Sequence, residues 1–444
     1  MSITEAKQET QQTLILAREA LKKGLLPGKI HNDAKIYDLE KEKVFRKAWI
    51  FVAHESELVN NGDYVIRYVT DDNIIVTRDD EGKIRGFFNH CSHRGMPLCR
   101  SECGSTSTFT CPYHGWVFKK NGDLIGVPTE KLIFGSEGID RKQWALHPVP
   151  QIDSYNGFIF VCLDSEGDSL ELYLGDMAWY LDFFSSRTDG GFEVVGPPQR
   201  WVVDCDWKLA AENFAGDSYH AGFTHQSVME IGLHPNKLGD FKPGGKRDGV
   251  DINAGAGTMG FAASSPKERG CSDEMIELFK LHLSSDHKNV FEGEFPKWPT
   301  RAHLFPNLSF LNAGALIKPG FMVPFLTVRL WRPLGPGKTE IWSWVLVERD
   351  APFWFKEASM KAYVLTFGSS GTEEQDDAEN WIGITQSVAT TSTKDFIHSI
   401  EGGLNSTEIR VLEDWPGPGT AYSSVKSDCG QRYFIKIWLD YVEK

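Results

Sequence analysis

Residues 91–116 read CSHRGMPLCRSECGSTSTFTCPYHGW, and the two ends of this stretch decide what the surrounding fold must be. At one end stand Cys91 and His93 with one residue between them. At the other stand Cys111 and His114 with two between them, seventeen residues further on. Two thiolates and two imidazoles on two short loops can ligate a tetrahedral zinc or a 2Fe–2S cluster, and ligand count alone does not separate these readings. The neighbouring sequence narrows the context. DYVIRYV (63–69), NIIVTRD (73–79) and IRGFFNH (84–90) lead into the first loop, TFTC (108–111) enters the second, and WVFKK (116–120) and LIGVP (124–128) follow. These are strand-like runs, and Asn121-Gly122 makes a hairpin turn between the last two. The ligands therefore belong to loops of a small all-β domain that closes near GFIFVCLD, about residue 164.

That setting favours the iron–sulfur reading. Neither loop opens a recognition helix, and each contributes one Cys and one His. In a Rieske cluster two cysteines hold one iron and two histidines hold the other, so a Cys/His pair from each loop suits it. Imidazoles in place of two thiolates also raise the reduction potential, as an acceptor of electrons from a ferredoxin requires. Cys99 and Cys103, lying between the loops, are read as ordinary buried thiols.

The second constellation is FAGDSYHAGFTH (214–225), preceded by Asn213. A helix from about Trp207 to Tyr219 would put Asn213, Asp217 and His220 on one face, at i, i+4 and i+7. His225, five residues after His220, is out of helical phase with it, so Gly222 is expected to release the helix and let His225 come round. Two histidines and one carboxylate around an open position form the facial triad of non-haem Fe(II) oxygenases. The carboxylate must come from elsewhere, and GTEEQDDAENW (371–381) offers Glu373, Glu374, Asp376 and Asp377. Spacing does not choose among them, and acidic residues also crowd helix N-termini for the sake of the macrodipole alone.

With both motifs in view the chain resembles the catalytic α subunit of the Rieske non-haem iron aromatic ring-hydroxylating dioxygenases, nearest the naphthalene, biphenyl and polycyclic-hydrocarbon group. The resemblance runs through AWIFVAHESEL, GDYV, NHCSHRGM, CPYHGW, the long segment 196–225, FPNLS and FGSSGTEEQDDAENW. It implies an α+β fold, with a β-rich Rieske 2Fe–2S domain beside a larger catalytic domain whose antiparallel sheet is flanked by helices. Carried over by position, it implies that Cys91 and Cys111 bind one cluster iron and His93 and His114 the other. It likewise implies that His220, His225 and Asp377 bind a mononuclear iron. Asp217 matches an aspartate linking a mononuclear-iron histidine to a cluster histidine of a neighbouring subunit, and Asn213 matches an asparagine near the iron. Phe214 and Phe367 match pocket positions. The implied reaction inserts both atoms of dioxygen into an aromatic ring, giving a cis-dihydrodiol. Electrons would come from NAD(P)H through a reductase and a ferredoxin. Assemblies are expected to be three α subunits, often with three small β subunits.

Other expectations come from the residues themselves. The domains are expected at 1–45 (N-terminal helices), 46–165 (cluster) and 166–444 (catalytic). Phe223 joins Phe214 and Phe367 as a candidate pocket wall. Arg301, four before Phe305, either pairs with a nearby acid or faces the pocket, where it would favour an aromatic carboxylate of the phthalate or salicylate type. A monooxygenase of the same superfamily would share all seven ligands. Helices are expected over 40–49, over 172–184 and from Thr372, where Thr372 and Gln375 form a capping-box pattern; FLTVRLW (325–331) and EIWSWVLV (340–347) are expected as an antiparallel pair, and residues 232–261, rich in glycine, as a long loop. A net charge of −14 from 47 basic and 61 acidic residues argues against a nucleic-acid partner. The start MSITEAKQETQQ lacks the basic and apolar regions of a signal peptide, and the longest apolar runs are of buried-strand length, so a cytoplasmic location without a membrane span is expected.

Overall fold

The computed structural model describes residues 3–232, 249–294 and 298–444. Its chain divides into two compact units, Phe45–Leu170 and a larger one formed by Met1–Val44 together with Glu171–Lys444.

In the smaller unit every strand pairing is antiparallel. One sheet runs in the order Ile84–Phe88, Asp72–Arg78, Asp63–Val69, Cys103–Ser105. Its registers place Ile66 opposite Ile75 and Ile75 opposite Phe87, so three strands lay one apolar row into the core. Phe109, Trp116 and Phe118 close over that row, and Cys91 and Cys111 are buried in the same cluster. A second sheet joins Gln151–Tyr155, Phe158–Cys162 and Ile50–His54, the last two buried along their whole length. The third, Phe109–Thr110, Val117–Phe118 and Leu124–Gly126, turns at Asn121-Gly122, where the Gly122 N–H donates to Lys119 O at 3.0 Å.

The larger unit is built on a nine-stranded antiparallel sheet. Its long strands, Trp298–Leu304, Leu308–Lys318, Phe321–Gly335 and Lys338–Glu348, form a meander, each pairing with the next in sequence. The helices Trp207–Gly216 and Phe353–Thr366 pack on it, and the C-terminal helix Cys429–Val442 packs on Trp207–Gly216. Among the described residues no helix is long and apolar enough to cross a membrane.

Several local expectations need correction. The second helix starts earlier than 40–49: Asp33 caps Ala34–Glu40 by accepting from the Lys35 and Ile36 N–H groups, and the chain runs on into a π-helical turn at Lys41–Phe45, so only the first part of 40–49 is helical. The helix expected over 172–184 is split into Leu170–Leu174 and Met177–Ser185 at Gly175. Of the expected loop 232–261, residues 233–248 lie outside the described residues, but Gly249–Ala254 and Gly257–Ala262 are a buried hairpin within the large sheet. Glycine there serves close packing: a Cβ on Gly257 would stand 2.3 Å from His303 O. The helix starting at Thr372 is capped by Gly371 without the expected Thr372/Gln375 box; Gln375 Nε2 donates instead to Ser369 O.

The N-terminal residues are held to the larger unit by a buried charge. Glu40, 1% exposed, accepts from Lys208 Nζ at 2.6 Å, Trp438 Nε1 at 2.8 Å and Trp207 Nε1 at 2.9 Å. Lys208 also pairs with Asp206 at 2.9 Å. Replacing one member of such a group leaves the rest desolvated without a partner. Glu40→Ala should therefore destabilise the protein by about 3–5 kcal/mol, seen as a lower unfolding midpoint in denaturant titration.

Candidate metal centres and cavity

The two loops of the smaller unit close in the same way. The Gly95 N–H donates to Cys91 O at 2.8 Å and the Cys91 N–H to Met96 O at 2.9 Å. In the second loop the Gly115 N–H donates to Cys111 O at 3.0 Å and the Cys111 N–H to Trp116 O at 2.8 Å. This repetition presents the two thiols to one another and brings the His93 and His114 rings to 4.6 Å between centroids. Both Nδ1 atoms are buried without a hydrogen-bond partner among the described residues. Burial and the neighbouring Cys111 push the Cys91 thiol up to about 11, although the His93 and Arg94 N–H groups donate to its sulfur. Trp116 stacks flat on His93, 4.8 Å away and 4° from parallel, fixing the ring plane. Four donors so arranged, two of them orphaned imidazole nitrogens, fit a cluster with two Cys and two His ligands. Cys99 and Cys103 are not the buried thiols expected: Cys99 is half-buried and Cys103 lies on the exposed strand Cys103–Ser105, and all eight cysteines are free.

The larger unit brings the second set together, by a route that differs from the helical expectation. The helix ends at Gly216, with Asp217 as its C-cap. Asp217 pairs with Lys426 in an isolated antiparallel bridge, and this tertiary contact terminates the helix before Tyr219. His220 then precedes a separate short turn, Ala221–Thr224, and His225 opens Gln226–Glu230. The chain thus breaks at 217–219, ahead of His220 rather than at Gly222. Asp217 secures the new direction, for its Oδ1 accepts the His220 backbone N–H at 3.2 Å.

Both rings face Asp377. His220 Nε2 is 3.3 Å and His225 Nε2 3.6 Å from Asp377 Oδ1, and the three residues offer ligand atoms within 4.8 Å of one another. The opposite nitrogens also meet carboxylates. His220 Nδ1 is 3.3 Å from Asp217 Oδ2, and His225 Nδ1 is 3.3 Å from Asp376 Oδ2. Burial alone would lower the His220 pKa, but hydrogen bonding to Asp217 and Asp377 lifts it to about 10. The same excess of negative charge suits a divalent cation, and the donor set is that of a facial triad.

Asp377 lies on the helix Thr372–Val388, whose buried face also carries Glu373 and Glu374. Glu374 pairs with Arg329 at 2.7 Å, so the acids at this helix start are anchors within the fold, not a solvated cluster. Asp376, named from sequence only as one of four candidates, is the partner that orients His225. Adjacent helical residues point about 100° apart, which lets one acid face Nε2 and the other Nδ1. Asp376→Asn should weaken metal binding about 10–100-fold, measured by iron retention against a chelator.

A cavity of about 320 Å³ opens beside these residues. Asn213, Phe214, Leu311, Phe367 and Asp377 line it, with Arg269 and Glu373 as lining residues that sequence reasoning missed. Phe214 packs on Trp331 at 5.2 Å, and Phe367 meets the edge of His225 at 6.2 Å. Phe223 does not belong to this wall. It is 74% exposed and contacts Tyr219 instead, because the turn after His220 directs it outward. Arg301 lines the cavity but its fork is occupied. Nε donates to Ser218 Oγ at 2.9 Å, Nη1 to Ala215 O at 2.8 Å, and Nη2 pairs with Asp251.

Comparison with known proteins agrees with both halves of this description. Residues 48–137 match the Rieske [2Fe-2S] domain family, and residues 170–442 match the catalytic domain of the ring-hydroxylating α subunits. The α subunit of N,N-dimethyl phenylurea N-demethylase from Sphingobium sp. (strain YBL2) is 35% identical over 95% of this chain and 92% of its own. The large oxygenase component of naphthalene 1,2-dioxygenase from Pseudomonas aeruginosa is 34% identical over 82% and 80%. Naphthalene 1,2-dioxygenase from Rhodococcus sp., solved with indole bound, superposes with a TM-score of 0.89 at 40% identity, covering 98% of each chain. A β-rich cluster domain followed by a helix-flanked antiparallel catalytic domain, matched along nearly its full length, places this chain among the α subunits of the Rieske non-haem iron ring-hydroxylating oxygenases.

Proposed function

We propose that the chain is a terminal oxygenase component that adds both atoms of dioxygen to an aromatic ring, giving a cis-dihydrodiol. Naphthalene and related polycyclic rings are the reference substrates. The observation that carries this reading is the convergence of His220 Nε2 and His225 Nε2 on Asp377, each ring held from behind by its own carboxylate, at the wall of an aromatic-lined cavity. In this assignment His220, His225 and Asp377 hold a mononuclear iron. Cys91, Cys111, His93 and His114 hold the 2Fe–2S cluster. When bound, the two centres supply dioxygen activation and the electrons it consumes.

The chain's own groups set the conditions. Asp217 and Asp376 fix the tautomer of each imidazole by accepting from Nδ1–H, leaving Nε2 as the ligand atom. Phe214, Phe367 and Leu311 exclude water and present flat apolar surface to a ring. Asn213, at the same wall, offers an amide beside the metal site. Asp217 is 31% exposed at its side chain, so the carboxylate that grips His220 also reaches the surface. There it can accept from a cluster histidine of a neighbouring copy. An assembly of three such chains, with or without small β subunits, is the proposed working form, fed from NAD(P)H by a reductase and a ferredoxin.

A second reading, oxidative N-demethylation, is favoured by the phenylurea N-demethylase relative. Products decide between them. With reductase and ferredoxin supplied, naphthalene should yield a cis-diol by mass analysis. Formaldehyde from N,N-dimethyl phenylurea with no diol from any aromatic ring would overturn the dioxygenase reading.

A further inference from the structure

We infer that Arg269 makes the cavity selective for an aromatic ring that bears a carboxylate, with the guanidinium as the substrate's counter-ion; this rests on the ring-oxygenation reading above. Arg269 lines the same cavity as Asn213, Phe214 and Asp377. It differs from Arg301 in one decisive respect. Arg301 has spent its fork on Asp251, Ala215 and Ser218, whereas Arg269 has no acidic partner within ion-pair distance among the described residues. Its one side-chain hydrogen bond runs from Nε to Ser264 Oγ at 2.6 Å. The adjacent Glu268 does not serve as a partner, since its carboxylate accepts from the Ser265 N–H at 2.7 Å and Ser265 Oγ at 2.9 Å.

The side chain is also held in place. The Arg269 N–H donates to Ser265 O at 3.2 Å and Pro266 O at 3.1 Å, forming a tight turn. Across from that turn, a Cβ on Gly314 would stand 2.9 Å from Arg269 O, so the strand Leu308–Lys318 presses directly against it. Burial pushes the Arg269 pKa down, with only partial relief from Glu268. A cation fixed by its backbone and Nε, partly desolvated and with no acid in ion-pair distance among the described residues, is an incomplete site. Its two terminal nitrogens match the two oxygens of a carboxylate, which would supply the missing charge. A neutral carbonyl would satisfy the hydrogen bonds but leave the charge uncompensated.

The test uses the holoenzyme with reductase and ferredoxin, and three probes of one shape: naphthalene, 2-naphthamide and 2-naphthoate. Wild type should prefer 2-naphthoate in kcat/KM, and calorimetry on the anaerobic holoenzyme should show it binding most tightly. Arg269→Met should lower kcat/KM for 2-naphthoate by about ten- to hundredfold, through KM, while raising it for naphthalene. Arg269→Lys, which keeps the charge but loses the fork, should recover part of the naphthoate activity. Turnover of naphthalene with a naphthoate preference that Arg269→Met does not change would overturn the inference and leave ring oxygenation standing. Equal use of 2-naphthamide and 2-naphthoate would overturn the anionic class. Failure to bind or oxidise any of the three would overturn both readings.

Discussion

Asp217→Asn is expected to retain iron in both centres, keep a cluster that reduces normally, and still lose up to about a hundredfold of product formation. The geometry separates these outcomes. Asp217 Oδ1 accepts the His220 backbone N–H and thereby shapes the turn that carries the histidine. An asparagine keeps that oxygen, so the turn and the position of His220 should survive. Oδ2, 3.3 Å from His220 Nδ1, becomes an amide that cannot accept from an imidazole N–H. The charge that faces the ring disappears, together with the second acceptor that a partner histidine would use. Iron analysis, the reduced-cluster EPR signal and a single-turnover product yield on one sample check all three. Wild-type yield would remove Asp217 from the account.

Asp377→Ala should go further. The residue is 3% exposed and both Nε2 atoms face its Oδ1, so its loss leaves two imidazoles with no carboxylate between them. The mononuclear iron should be lost and activity should vanish, exceeding the 10–100-fold effect of removing an outer partner. The proposed cluster ligands Cys91, His93, Cys111 and His114 lie in the other unit, so the protein should stay coloured and its iron content should fall to that of the cluster. If Asp377→Ala retains all of its iron, the ligand assignment fails. Asp376 would then be the acid to examine.

The contrast between these two aspartates shows where sequence reading stops. Cys91, His93, Cys111 and His114 were legible because each pair sits on one short loop and local turns aim the side chains. His220 and His225 were legible as a pair, yet the break between them was not. The periodicity of Asn213, Asp217 and His220 describes a continuing helix, whereas the bridge from Asp217 to Lys426, far along the chain, ends it. Asp376 and Asp377 are neighbours on one helix, so only the direction in which that helix is packed assigns their roles. Glycine at 249–262 read as looseness, while in the sheet it permits close approach of backbones. The antiparallel pair Phe321–Gly335 and Lys338–Glu348 followed from apolar patterning, which needs no distant partner, whereas the α+β class came from the family resemblance. Arg269 carried no local signal, since its place on the cavity wall, with no ion-paired acid among the described residues, is a property of the fold.

In the proposed reaction one catalytic centre places both atoms of dioxygen on an aromatic ring. It is tested most directly by a single turnover of the fully reduced protein with naphthalene under isotopically heavy dioxygen, followed by mass analysis of the product. The expected product is a cis-dihydrodiol carrying both labelled atoms. A product with one labelled atom and one from water, or an oxidised side group with an untouched ring, would contradict it.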